Sequence, residues 1–288
     1  MFTSNCKTLN ENGVPALEIS YEGNFSVAKT FDCGQCFRFD PVENSKHEAE
    51  FSGVAYGRHV SFAEDGGKLY IYGATEEDYQ KIWKSYLGLD VDYGAIDSDI
   101  LSRSDSPALK DAVEYGRGIR ILRQEPWEAV CSFIVSQNNN IPRIKKIIAA
   151  MSEKYGEPIG GGKFAFPTAD ALVGAGVDGL FALKTGFRAK YIFDAASKVS
   201  DGRLELDNIT GSTDECVKKL CDVKGIGPKV ALCSLLFGFA RYDAFPVDVW
   251  IRRVMEKYFR EGFTPDELGP YAGIAQQYLF YYERYIVN

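Results

Sequence analysis

The chain has 288 residues, of which 45% are apolar and 25% are charged, and its formal net charge is −7. This composition indicates a soluble globular chain long enough for two domains with their own cores. The longest strongly apolar run, residues 230–240, is too short to cross a bilayer, and the first ten residues do not resemble a signal peptide. We therefore expect no membrane partner.

The cysteine count bears on the compartment. Seven cysteines, an odd number, follow no regular framework. This usage favours an intracellular protein with free thiols. We expect it in the cytoplasm or nucleoid of a prokaryote, or in the nucleus of a eukaryote.

The negative charge is unevenly distributed along the chain. Residues 1–110 contain 10 basic and 18 acidic residues, a net charge of −8, whereas residues 111–288 contain 23 and 22, a net charge of +1. A nearly neutral segment can still present a local basic face. The overall charge therefore does not exclude a nucleic-acid partner for the second part.

Short alternating segments up to about residue 73 predict an antiparallel meander. The segments cover residues 36–39, 50–56, 59–62 and 68–72, and clusters of Gly, Asp and Asn separate them. Thr75 and Asp78 then predict the start of a helix that covers one face of the sheet. Its apolar face consists of Tyr79, Ile82, Trp83, Tyr86 and Leu87.

From residue 106 onward the apolar pattern is helical. It predicts helices at 106–116, 126–137, 141–155, 168–175, 189–200, 213–221, 228–239, 248–260 and 271–285. We therefore predict an α+β protein. An antiparallel sheet domain with a covering helix, residues 1–105, precedes a mainly helical domain, residues 106–288, and the last helix packs back at the cleft between them.

The most informative stretch lies between residues 220 and 255, where two apolar helical patterns meet at Lys224-Gly225-Ile226-Gly227-Pro228-Lys229. Gly225 and Gly227 can take backbone conformations closed to other residues and leave room for a ligand. Pro228 suits a first helical position. The free amides of this hairpin predict an anion site for a phosphate.

Two side chains in this stretch are candidates for chemistry. Lys229 falls in the first turn of a helix, where the helix dipole disfavours the ammonium form, and a neutral amine is a nucleophile. Asp248 follows Pro246-Val247 and occupies a predicted N-cap position. If the two helices pack side by side, the amine and the carboxylate can face one cleft.

The hairpin, Lys229 and Pro246-Val247-Asp248 together resemble the helix-hairpin-helix DNA glycosylases, and the lysine resembles that of the branch that also cuts the strand. Within that superfamily, Cys33-Gly34-Gln35-Cys36-Phe37-Arg38 is similar to a segment of the 8-oxoguanine DNA glycosylase/lyases. The resemblance implies that the Gly34 carbonyl accepts a hydrogen bond from N7–H, which 8-oxoguanine carries and guanine lacks. An unmatched buried acceptor costs roughly 1–3 kcal/mol, so one such bond can discriminate.

Two further stretches resemble the segments with which this family contacts duplex DNA. In residues 136–143, Asn138 would fill the gap left by the extruded base and Arg143 would read the orphaned cytosine, whose acceptors match the guanidinium. In residues 185–191, Arg188 resembles a second cytosine reader and Phe187 a wedge beside it.

A fourth stretch, residues 269–280, resembles the base pocket of the same family. Gln276 and Phe280 are four residues apart and share a helix face. The resemblance implies that Gln276 bonds the Watson–Crick edge of the base, while Phe280 stacks on one ring face and Cys233 closes the other.

The chain departs from the family in two places. Trp250 stands where the best-known relatives carry a phosphate-contacting histidine, and Cys33 with Cys36 forms a C-x-x-C that the family does not require. That pair lacks a second ligand pair for zinc. We expect no cofactor and no catalytic metal, although the family implies a structural monovalent cation at the carbonyls of Cys221, Val223 and Ile226.

The resemblance implies a monomeric base-excision repair enzyme that binds double-stranded DNA containing 8-oxoguanine opposite cytosine. Lys229 would form a Schiff base, Asp248 would stabilise the developing sugar cation, and β-elimination would cut the strand. Two alternatives stay open. The chain could be a glycosylase for another lesion, such as an alkylated purine, or a non-catalytic module that binds damaged DNA.

Overall fold

The computed structural model describes residues 5–11, 13–21 and 23–287. One antiparallel sheet contains six strands in the order β1-β2-β6-β5-β4-β3. The strands are β1 (Asn5–Glu11), β2 (Val14–Ser20), β3 (Phe39–Pro41), β4 (Ala49–Ala55), β5 (Arg58–Asp65) and β6 (Lys68–Tyr72). A separate short hairpin joins β7 (Pro158–Gly160) and β8 (Lys163–Phe164).

Most of the remaining structure is helical, with short 3₁₀ and π turns at several helix ends. The helices are α1 (Val27–Asp32), α2 (residues 76–86), α3 (Tyr93–Ser102), α4 (Pro107–Gly116), α5 (Pro126–Ser136), α6 (Ile141–Tyr155), α7 (Ala169–Leu180), α8 (Ala189–Ser200), α9 (Thr213–Cys221), α10 (Pro228–Phe239), α11 (Val249–Tyr258) and α12 (Ala272–Tyr282). Within the described ranges, no helix is long and apolar enough to span a bilayer. The predicted α+β class is confirmed.

The sheet differs from a simple meander. Strands β3 to β6 follow one another as predicted, but an additional hairpin, β1–β2, pairs with β6 through β2. The predicted strand at residues 36–39 is wrong, because only Phe39 of that segment belongs to β3. Residues 33–38 form irregular backbone instead. The apolar alternation there reflects burial of individual side chains and not strand pairing.

Helix α2 covers the sheet as predicted. Thr75 and Asp78 form a reciprocal capping box, which satisfies two backbone N–H groups at the helix start. Trp83 and Tyr86 are buried, and the Trp83 ring packs edge-on against Phe62 of β5 with 5.5 Å between centroids. The aromatic face of α2 thus closes the sheet core.

The bounds of the predicted helices agree with the structure to within one residue at the N-terminal ends. The caps explain this agreement, since Ser106, Asn140 and Ser212 each accept a bond from a backbone N–H in the first turn. Helix α7 continues beyond the predicted end at residue 175, with a kink at Gly176, whose φ is +65°. Helices α1 and α3 were not predicted from the sequence.

Two hydrophobic cores lie against each other, and their residues interleave along the chain. The sheet core includes Leu122 from beyond the sheet, while the helical core includes Cys33 and Phe37 from the N-terminal part and the apolar face of α3. Arg38 forms a buried ion pair of 3.1 Å with Glu128 of α5. The domain boundary at residue 105 stays a prediction.

Candidate active site

The hairpin between α9 and α10 is a tight turn whose two glycines have different roles. Gly225 has a φ of +82°, and a Cβ there would lie 2.3 Å from the Tyr191 ring. Gly227 caps α10 with a φ of −101°, an ordinary extended conformation, and no atom lies within 4 Å of its Cβ position. Of the two glycines, only Gly225 therefore uses the conformational freedom that glycine allows. The contribution of Gly227 is open space in front of the helix N-terminus.

The carbonyls suggested for a monovalent cation lie in the same turn. The Val223 carbonyl accepts a hydrogen bond of 3.0 Å from the Ile226 amide, which occupies one of its two lone pairs. No group of three or more His, Cys, Asp or Glu side chains in the described segments is arranged to hold a metal ion. The cation at the carbonyls of Cys221, Val223 and Ile226 stays a prediction.

Lys229 and Cys233 lie four residues apart on one face of α10 and line the same pocket. Burial raises the pKa of the Cys233 thiol, and the adjacent Lys229 opposes that rise. The thiol therefore stays protonated and neutral at physiological pH. Cys233 thus gives Lys229 a neutral neighbour in the pocket.

Asp248 reaches the same pocket from the start of α11. Its Oδ1 accepts a hydrogen bond of 2.8 Å from the Ile251 amide and so caps the helix. Its Oδ2 has no hydrogen-bond partner among the described residues. The cap fixes the side chain, and the second oxygen is left for the pocket.

The pocket is a cavity of about 180 Å³ between α10, α12, the N-terminal end of α6 and the irregular segment around Gly34. It brings together six of the predicted site residues. They are Lys229, Asp248, Gly34, Cys233, Gln276 and Phe280. The predicted catalytic pair and the predicted base pocket are thus parts of one cavity.

Gln276 supplies a polar atom without a partner. Its side chain is buried, and Oε1 makes no hydrogen bond with the described part of the chain. Leaving a buried acceptor unmatched costs roughly 1–3 kcal/mol, so a ligand with an N–H donor would relieve the penalty. The Watson–Crick edge of a guanine-type base carries such donors.

Gly34 stands opposite Phe280 in the pocket. Its φ is +82°, and its Cβ position lies 3.8 Å from Cε1 of Phe280 and 3.6 Å from Cδ1 of Ile141. Any side chain at this position would be strained and would face the aromatic ring. The glycine therefore lets a flat ligand approach the backbone beside Phe280.

The segment between α5 and α6 projects outward from the pocket. Asn138 is exposed with a φ of +46°, a left-handed conformation that asparagine tolerates better than most residues. Arg143 is also exposed, and its Nη2 contacts the Lys184 carbonyl at 3.4 Å. Both side chains are accessible to a duplex that docks over the pocket.

Arg188 has a different environment from Arg143. It is buried, and its guanidinium donates to the carbonyls of Thr185, Gln137 and Asn138. Desolvation, with a further effect from nearby Arg143, lowers its pKa. In this conformation Arg188 supports the Asn138 loop, so contact with a cytosine requires that it exchange these bonds. Its reading role stays a prediction.

Two exposed aromatic residues flank this surface. Phe187 is 48% exposed and carries the Arg188 guanidinium 4.4 Å above its ring centroid. Trp250, in the first turn of α11, is 42% exposed. The exposure of the Phe187 ring is compatible with the predicted wedge role, which stays a prediction.

The structure also shows pocket residues that the sequence reasoning missed. Phe237 lines the pocket four residues after Cys233 and eight after Lys229, a spacing from which it could have been found. Most of the other lining residues belong to stretches that the sequence singled out, without a role of their own in the prediction. They are Cys33, Phe37, Ser136, Asn139, Ile141, Pro246 and Gln277. Phe133 and Ile144 lie outside those stretches, on apolar faces of α5 and α6.

Two family models match consecutive parts of the chain. The N-terminal domain of 8-oxoguanine DNA glycosylase matches residues 17–130, and the HhH-GPD superfamily of base excision DNA repair proteins matches residues 131–268. The chain belongs to the 8-oxoguanine DNA glycosylase family. It is accordingly an enzyme of base excision DNA repair.

Solved structures in this family are similar over nearly the whole chain. MBOgg1, solved in complex with a low-affinity DNA ligand, is 40% identical with a TM-score of 0.89, and the match covers 99% of this chain and 100% of MBOgg1. The 8-oxoguanine glycosylase/lyase of Clostridium acetobutylicum, bound to DNA with cytosine opposite 8-oxoG, is 38% identical with a TM-score of 0.86, and 97% of each chain is covered.

A curated relative matches over a shorter segment. The N-glycosylase/DNA lyase of Saccharomyces cerevisiae is 33% identical over 192 residues, which is 61% of this chain. The match spans half the length of the yeast protein.

The contrast between the hairpin glycines predicts different effects of the same substitution. Gly225→Ala should lower the free energy of unfolding by about 1–3 kcal/mol, because alanine resists the left-handed conformation and its Cβ meets the Tyr191 ring. Gly227→Ala should change it little. Urea unfolding of both variants measures the difference, and equal losses would contradict this account of the hairpin.

Proposed function

We propose that this protein is a bifunctional DNA glycosylase and AP lyase that excises 8-oxoguanine opposite cytosine. The observation that carries the proposal is the single cavity that holds Lys229 and Asp248 beside Gly34 and the unpaired Oε1 of Gln276. The glycosylase/lyase similar over 97% of the chain supports the proposed substrate.

The pocket receives a base that has left the duplex. Flipping a nucleotide costs a few kcal/mol, and contacts inside the cavity offset this cost. Oε1 of Gln276 accepts a hydrogen bond from the Watson–Crick edge of the base. Phe280 stacks on one face of the base ring, and Cys233 closes the other face. The Gly34 carbonyl accepts a hydrogen bond from N7–H of 8-oxoguanine. In guanine N7 is itself an acceptor, so the two acceptors would repel each other.

Lys229 and Asp248 carry out the chemistry on the sugar. The neutral amine attacks C1′ as the bond from C1′ to the base nitrogen breaks, and the negative charge of Asp248 stabilises the sugar cation that develops. Ring opening gives a Schiff base between Lys229 and C1′. Loss of a proton from C2′ then expels the 3′ phosphate and cuts the strand.

Side chains outside the pocket read the opposite strand. Asn138 fills the space that the base has left, and Arg143 donates to the orphaned cytosine. The duplex backbone meets the amides at Gly225 and Gly227, where the helix N-terminus favours a phosphate.

We further propose that the protein acts as a monomer inside the cell. Its place would be the compartment that holds the DNA, which is the cytoplasm or nucleoid of a prokaryote or the nucleus of a eukaryote.

The main alternative is a glycosylase for an alkylated purine. It would keep Lys229 and Asp248 but would need a different set of contacts in the pocket. The free acceptor on Gln276 favours a base with N–H donors on its Watson–Crick edge. Excision assays on a panel of lesion duplexes distinguish the two substrates.

The first test concerns the nucleophile. Lys229→Gln should abolish both base release and strand cutting on an 8-oxoguanine:cytosine duplex, because the amide cannot attack C1′, while duplex binding persists. Lys224→Gln removes the same charge from the exposed side of the same hairpin and should retain both activities. Single-turnover rates for the two variants measure this, and base release by Lys229→Gln at the wild-type rate would exclude the proposed nucleophile.

The second test concerns the opposite base. Arg143→Ala should narrow the preference for cytosine over adenine by about 1–3 kcal/mol, the free energy of a bidentate contact with a base. Lys146→Ala removes an exposed charge from the same helix and should leave the preference unchanged. Rates on duplexes with each of the four opposite bases provide the comparison. A uniform loss in Arg143→Ala would make this arginine a phosphate contact.

A further inference from the structure

The segment that contains Gly34 lacks regular secondary structure, so its backbone depends on side chains for its hydrogen bonds. The fully buried side chain of Gln35 makes the first group of these hydrogen bonds. Its Nε2 donates to the carbonyls of Thr30 and Arg120, each at 2.8 Å, and its Oε1 accepts from the Leu122 amide at 2.8 Å. The side chain next to Gly34 is thereby fixed to two separate segments.

Two other glutamines donate hydrogen bonds to the carbonyls of Cys33 and Gln35, the two residues that flank Gly34. Gln277 of α12 donates to the Cys33 carbonyl at 2.9 Å, and Gln124 donates to the Gln35 carbonyl at 2.8 Å. Both glutamines are buried. The carbonyl of Gly34 itself accepts no hydrogen bond from the described residues, although its two neighbours do.

We infer that Gln35, Gln124 and Gln277 are positioning residues that fix the Gly34 carbonyl for recognition of N7–H. A hydrogen bond discriminates between bases only if the acceptor cannot move away from the wrong one. Gln277 also follows Gln276 directly on α12. The Gly34 carbonyl, which would contact N7–H, is therefore connected through Gln277 to α12, the helix that carries Gln276.

This inference rests on the proposed role of Gly34 and extends it to three glutamines to which no base contact is assigned. Gln277 also lines the pocket, whereas Gln35 and Gln124 do not, so Gln124 gives the cleaner test. Methionine has nearly the same length as glutamine but donates no such hydrogen bond. Gln124→Met and Gln277→Met thus free one neighbouring carbonyl each while preserving most of the packing. Gln80→Met, at an exposed position on α2, is the matched control.

The experiment compares two ligands in the Lys229→Gln background, where no reaction occurs. One duplex contains 8-oxoguanine opposite cytosine, and the other contains 8-oxo-7-deazaguanine, in which a CH₂ group replaces N7–H and no donor remains at position 7. The parent should bind the first duplex about tenfold more tightly, as expected for one hydrogen bond. In Gln124→Met and Gln277→Met this ratio should fall to about twofold, while Gln80→Met keeps the parental ratio.

The ratio separates positioning from stability, because a loss of folded protein weakens apparent binding of both duplexes equally. Variants that bind both duplexes less tightly at an unchanged ratio would overturn the positioning role. If Gln124→Met does not fold, Gln124→Asn shortens the same side chain and gives the same test. A parent that does not distinguish the two duplexes would instead contradict the proposed reading of N7–H by Gly34, and a parent without preference for 8-oxoguanine over guanine would contradict the proposed substrate.

Discussion

The hydrogen bond from the Ile251 amide to Oδ1 of Asp248 fixes the geometry on which the proposed chemistry depends. The cap restrains rotation of the carboxylate and leaves Oδ2, which has no hydrogen-bond partner among the described residues, at the pocket that Lys229 also lines. Asp248 thus starts α11 and supplies negative charge where a cation develops.

Helix α10 places Lys229, the proposed nucleophile, at the same pocket as Asp248. Gly225 fits only because it has no side chain against Tyr191, and this contact fixes the hairpin from which α10 begins. Lys229 then lies in the first turn, with Cys233 and Phe237 below it on the same face. The N-termini of two helices therefore meet at one cavity, one with an amine and the other with a carboxylate.

The proposed recognition of the base depends on segments that are far apart in the chain. Gly34 belongs to the N-terminal part and Gln276 to the last helix, yet Gln277 connects them through the Cys33 carbonyl. Cys33 and Phe37 also pack into the helical core. The pocket is consequently lined by both the N-terminal and the helical part of the chain, and its apolar residues belong to the helical core.

Features that depend on neighbouring residues, such as helix starts and shared helix faces, could be predicted from the sequence. Cap residues such as Ser212 and Asp248 determine where helices start, so the helix starts were predicted to within one residue. The four-residue spacing of Gln276 and Phe280 predicted one shared face. Hairpin β1–β2 and the irregular backbone around Gly34 depend on pairing with distant segments. The different roles of Gly225 and Gly227 could not be predicted, because composition does not distinguish a glycine needed for its φ from one needed for open space.

The most direct test of the central claim is to locate the covalent bond to DNA. Borohydride should reduce the Schiff base formed with an 8-oxoguanine:cytosine duplex, and peptide mapping of the adduct by mass spectrometry identifies the modified amine. The account predicts a single reduced sugar fragment on Lys229. A fragment on another lysine or on the chain N-terminus would contradict it, because the amine beside Cys233 and Asp248 would then not be the nucleophile.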